Sequence, residues 1–202
     1  MGNVKHAFTS AKADGGDASL VRPSNWNAAH TGAVEILDRD LTQIDVANEA
    51  AETSVYSFSI PANALGVDGG FRLTLSGDML KNAAGAMEIR VKLGATTVFL
   101  SDSSAPTSSA NRHKWTLVIL CLNSVAAAQK WNASMKMVAN VQNLSVQVIG
   151  SGFNATLMEG YSSSAEDTTG ALTLEVTIDW SVADASLSFR KEMALLELIP
   201  AA

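Results

Sequence analysis

The chain has 202 residues, 47% of them apolar and 17% charged, with a formal net charge of −6. That length is one domain with room for an appendage. The composition excludes a disordered chain, and the acidic balance excludes the basic surface that nucleic-acid binding needs. The lone cysteine, Cys121, excludes an internal disulfide framework and cannot build a thiolate metal site by itself. The longest apolar run, Leu117 to Leu122, is far short of the ~20 residues that span a bilayer, so no membrane partner is expected.

In chain order, residues 1–34 carry Lys5, Lys12 and Arg22 against Asp14 and Asp17, with Val4, Phe8, Leu20, Val21 and Trp26 scattered without a period. The start has no apolar core of a secretory signal. His6 stands where a myristoylation signal wants Ser or Thr. The sequons at Asn132, Asn143 and Asn154 are read as chance matches. Such a segment cannot bury enough surface to fold alone, and leaving Phe8 and Trp26 in water is costly. We expect an arm that docks on another protein.

Residues 35–54 are acidic, six carboxylates opposing only Arg39. Leu37, Leu41 and Ile44 fit a helix face, while Ile44 and Val46 also fit a strand. The expectation is a connector holding one short helix or a first strand.

From residue 55 the period is two. Tyr56, Phe58 and Ile60 alternate with serines, and Phe71, Leu73 and Leu75 with Arg72 and Thr74. Met87 to Leu93, Lys130 to Met137, Leu144 to Val148 and Leu172 to Trp180 behave alike. Each reads as a strand with one buried face and one wet face. Trp115 to Leu122 is apolar on both faces, which predicts a central strand or one covered by a neighbour. Short strands are expected near Val98, Leu187 and Leu195. Turn formers separate these segments at Val67–Gly70, Asn82–Gly85 and Ser101–Asn111. Helical periods between them are missing, which argues against βαβ units. The predicted fold class is all-β, over residues 55–202. It is an antiparallel β-sandwich of about nine or ten strands, wound as a jelly roll, with an extended N-terminal arm.

Motifs for chemistry fail on context. Gly150-Ser151-Gly152-Phe153-Asn154-Ala155 matches a dinucleotide-binding fingerprint in letters, but no helix follows to hold a pyrophosphate. No G-x-S-x-G exists. Glu166 and Asp167 are adjacent loop residues that point apart. Asp14-Gly15-Gly16-Asp17 reads as a turn and lacks the ligand spacing of a calcium loop. His6, His30 and His113 form no metal-ligand pattern and are expected to face solvent or arm contacts. Arg112-His113-Lys114-Trp115 reads as a strand start with Trp115 entering the core, and Cys121 as a buried, inert thiol. The expectation is no enzyme, with no catalytic, cofactor-binding or metal-ligating residues.

The arm carries a resemblance. His6-Ala7-Phe8, Lys12-Ala13-Asp14-Gly15, Asp17, and then Leu20-Val21-Arg22-Pro23-Ser24-Asn25-Trp26-Asn27-Ala28-Ala29-His30 resemble a short N-terminal segment that recurs in tailed-bacteriophage virion proteins. The body also resembles β-sandwich domains of such proteins, at Ala50–Ile60, Pro61–Gly66, Gly69–Leu73, Gly77-Asp78, Val91–Gly94, Trp115 and Leu172–Val176. The resemblance implies a virion component, a capsid decoration or cement protein or else a tail- or fibre-associated one. It implies an oligomer, taken as a homotrimer, and a major capsid protein or other virion protein as partner. Within the arm, Pro23 holds the chain extended around Arg22. Phe8, Arg22 and Trp26 are anchor types that often dominate interfaces, and Asn27 and His30 are placed to hydrogen-bond a partner.

Overall fold

Apolar residues at every second position commit a segment to a strand that must bury one face, and two sheets satisfy that demand by packing face to face. The computed structural model describes residues 34–101, 108–138 and 155–201. The protein is an all-β antiparallel sandwich, and no helix occurs among the described residues. Its strands are β1 (Glu35–Asp40), β2 (Ile44–Ala47), β3 (Thr53–Ile60), β4 (Gly70–Lys81), β5 (Met87–Leu93), β6 (Thr96–Leu100), β7 (Ser109–Val125), β8 (Ala128–Val138), β9 (Ala155–Ser164), β10 (Leu172–Trp180) and β11 (Leu187–Ile199).

A 7-stranded sheet runs β1-β11-β4-β7-β8-β9, with β2 also paired to β11. A 4-stranded sheet runs β3-β10-β5-β6. The pairs are nested: β2 with β11, β3 with β10, β4 with β7, and β5 with β6. One long antiparallel ribbon is thus folded back so that alternate pairs fall in alternate sheets. The tip of the ribbon is the two-residue connection Gly94-Ala95, where Gly94 takes φ 56°, a conformation open to glycine without steric cost. The β8–β9 hairpin extends the large sheet beyond β7.

The inner faces carry the predicted alternation. Phe71, Leu73 and Leu75 of β4, Trp115, Leu117 and Ile119 of β7, Trp131, Met135 and Met137 of β8, and Leu174, Val176 and Ile178 of β10 are buried. Trp115 stacks on Phe189 with ring centroids 4.4 Å apart, and Phe71 meets Trp131 edge-on at 5.5 Å. Polar contacts tie the sheet edges together. Tyr56 of β3 donates its hydroxyl hydrogen to Asp38 of β1 at 3.0 Å, and Ser162 of β9 donates to the Val98 carbonyl of β6.

Several expectations are resolved or corrected. Of the two readings of residues 35–54, a short helix or a first strand, the strand is the one formed. These residues supply β1 and β2, which pair with successive parts of β11 and so belong to the large sheet. The short strands expected near Leu187 and Leu195 are one strand, β11, bent by a bulge between Lys191 and Met193. Residues 155–164, for which the sequence suggested no element, form β9. His113 is not solvent-facing but 2% exposed on the inner face of β7. The strand expected at Leu144–Val148 lies outside the described residues, as does nearly all of the Gly150 turn.

Candidate interaction surface

The six arm residues singled out from sequence, Phe8, Arg22, Pro23, Trp26, Asn27 and His30, lie outside the described residues. Described structure starts at exposed Val34, beside β1, where Glu35 pairs with Leu198. Residue 34 therefore enters the body at one edge of the large sheet.

The outer face of that sheet is unusual. Strand alternation turns Thr116, Val118, Leu120 and Leu122 of β7 outward, and no layer covers them among the described residues. Val118 is 36% and Leu122 42% exposed. Across the register the row turns polar before it reaches a further exposed ring: Leu120 lies opposite exposed Asn132 of β8, which lies opposite Tyr161 of β9. Tyr161 is 91% exposed. On the other side Val118 pairs with Thr74, and Thr74 with Leu195 of β11. Met193 and Ile36 add further exposed apolar surface. Sandwich outer faces are ordinarily polar, so the apolar stripe of Val118, Leu120 and Leu122 along β7, flanked by polar positions on β4 and β8, is the feature that makes this face a candidate interaction surface. The sequence signal for it was the run apolar on both faces, Trp115 to Leu122.

Ion pairs order the rim. Asp78 of β4 accepts from Arg112 Nε at 2.5 Å and from Lys114 Nζ at 3.1 Å, while Arg112 Nη1 donates to Ser188 at 2.8 Å. Burial alone would raise the Asp78 carboxyl, but these hydrogen bonds and charges outweigh it and hold it below the ordinary carboxylate range. Arg190 pairs with Asp45 at 2.8 Å and Arg72 with Glu197 at 2.8 Å. The basic cluster noticed in the sequence is thus divided. Arg112 and Lys114 clamp Asp78 outside, while His113 and Trp115 point inward. Burial, then the Lys81 charge, pushes the His113 pKa below its ordinary value, so the ring sits neutral against the core.

Other polar groups hold the fold. Gln129 donates to the Asn123 side-chain carbonyl at 2.8 Å and accepts from Ser164 at 2.8 Å and from the Glu166 backbone at 3.0 Å. Asn123 donates to the Gly66 carbonyl at 2.6 Å and Trp131 to Ser164 at 2.8 Å. This network pins the connections at one end of the sandwich, each amide using its capacity. Burial pushes the Cys121 thiol up to about 12, so it stays protonated and inert. A cleft of about 250 Å³ lies where β6 meets β8 and β9, floored by Ile119, Trp131 and Ala133. No group of three or more His, Cys, Asp or Glu side chains placed to hold a metal occurs among the described residues.

No protein-family model matches the chain. No curated protein matches it. Among solved structures it is similar to one of infectious bursal disease virus, Gt strain, at 12% identity and a TM-score of 0.33. The match covers 94% of this chain and spans 38% of the length of that one.

Proposed function

We propose that this chain is a structural protein of a tailed-bacteriophage particle, a capsid decoration or cement protein held on the head surface by its N-terminal arm. The observation that carries the reading is the winding. Eight of the strands nest as β2/β11, β3/β10, β4/β7 and β5/β6 across two sheets, which we read as a jelly roll, an architecture of viral capsid and lectin domains. The phage-like arm sequence around Arg22-Pro23-Ser24-Asn25-Trp26 supports it. In this reading the chain does no catalysis and needs no cofactor. It assembles in the host cytoplasm as a homotrimer and contacts the major capsid protein through Phe8, Arg22, Pro23, Trp26, Asn27 and His30.

A second reading is a tail- or fibre-associated protein that binds a host receptor or glycan. Tyr161, 91% exposed beside exposed Asn132, favours it, because a bare ring flanked by an amide suits the amphipathic face of a sugar.

Deletion of residues 1–34 tests the role of the arm. The deleted chain is expected to fold, since the core lies within β1 to β11, and to be lost from purified particles. Undiminished incorporation would overturn the arm's assignment.

A further inference from the structure

We infer that the cleft between β6 and β9 is a binding site for one pyranose ring of a glycan. The inference deepens the receptor- or glycan-binding reading and rests on it.

Small residues open this cleft where large ones would close it. Ala133 of β8 lies opposite Gly160 of β9 on the inner face, while its neighbours on that face of β8 are Trp131 and Met135. Neither backbone nor packing asks for glycine at 160. Its φ is not left-handed. A Cβ there would meet the Phe99 ring at 3.4 Å, an ordinary contact. Glycine weakens a strand interior and often marks a place where a ligand comes close to the backbone. Here it keeps a way open between the edge strands of the two sheets.

The lining selects the class of ligand. Ile119, Trp131 and Ala133 make an apolar floor, each at most 3% exposed. At the mouth stand Glu159 and Tyr161, both exposed. Glu159 accepts from Ser134 Oγ at 3.5 Å, and no cation pairs with it among the described residues. That separates it from Asp78, Asp45 and Glu197, whose cations lie within the chain. A wholly apolar guest would dehydrate this carboxylate without pairing it, and a charged guest would lose its own hydration on the floor. A pyranose meets both demands. Its C–H face covers apolar and aromatic surface, and its neutral hydroxyls donate to a carboxylate. The volume of about 250 Å³ lies below the ~300–1,000 Å³ of sites for drug-sized ligands. The cleft therefore takes one ring, and the rest of the glycan runs out past Tyr161 and Asn132, which face each other in register.

Heteronuclear amide NMR of the whole chain, titrated with the methyl glycosides of glucose, galactose, mannose and N-acetylglucosamine, tests this. At least one glycoside is expected to shift the Gly160 and Tyr161 amides and the Trp131 indole N–H at millimolar concentration. Tyr161→Ala, at a side chain 91% exposed, cannot act by unfolding the core. It is expected to weaken binding about tenfold, the worth of one lost ring contact. Gly160→Ala, which narrows the cleft, and Glu159→Gln are expected to weaken it by a similar factor. A chain unmoved by every glycoside would overturn the inference. So would shifts confined to residues away from β6, β8 and β9, or binding indifferent to Tyr161→Ala and Gly160→Ala. Phenyltrimethylammonium shifting these amides where the glycosides do not would overturn the sugar as ligand. Binding to host cells that survives Tyr161→Ala and Gly160→Ala would overturn this cleft and leave the receptor-binding reading standing.

Discussion

Replacing Asp40 by Asn is expected to cost about 3–5 kcal/mol of stability, while replacing Lys191 by Met is expected to cost far less. Lys191 is fully buried, on the inner face of β11, and its ammonium donates to Asp40 at the end of β1. Burial pushes the Asp40 carboxyl up. The hydrogen bonds from Lys191 and from the Thr42 backbone outweigh that and hold it below the ordinary carboxylate range. Asp40→Asn removes the anion and strands a cation that has no route to water. Lys191→Met removes the buried charge itself, fills a similar volume, and leaves a carboxylate that is 25% exposed and still accepts from Thr42 at 2.7 Å. Urea unfolding of the two variants checks the asymmetry. A Lys191→Met protein as damaged as Asp40→Asn would show that the pair stabilises the fold as a pair.

Gly77→Ala is expected to lose about 3 kcal/mol, the upper end of overpacking. Gly77 sits in β4 between Lys191 of β11 and Trp115 of β7. A Cβ there would lie 1.9 Å from the Arg190 carbonyl oxygen and 3.0 Å from Trp115 Cζ2. The first contact is backbone, so no rotamer change relieves it and the β4–β11 ladder must part beside its bulge. Gly160→Ala on β9 is the control, because its Cβ would meet only the Phe99 ring, at 3.4 Å. That substitution is expected to change stability by less than about 1 kcal/mol. Thermal unfolding that ranks the two variants equally would contradict the packing described for β4.

The strands that bury one clean face were legible as sequence. Tyr56, Phe58 and Ile60 of β3 alternate as written and pair with Val176, Leu174 and Leu172. β11 was not read as one strand because its bulge flips the phase. Leu187, Phe189 and Lys191 face inward at odd positions, whereas Ala194, Leu196 and Leu198 do so at even ones. A lysine at an inward position hid the continuity further. β9 turns Gly160, Ser162 and Ser164 inward, so it shows no apolar period, and its pairing with β8 decides its state. β1 and β2 are six and four residues long, too short for a period to separate helix from strand. His113 shares the parity of Trp115 and Leu117, so its position in the strand marks it as inward although its residue type is often exposed. The apolar outer face of β7 was visible in the sequence, but its exposure was not, because whether a layer covers it depends on the partners of the whole sheet.

Quantitative mass spectrometry of purified phage particles tests the central claim most directly. A decoration protein is expected among the abundant virion components, at a copy number that scales with the major capsid protein. A few copies per particle would contradict decoration and move the chain to the tail, and absence from washed particles would contradict a virion role altogether.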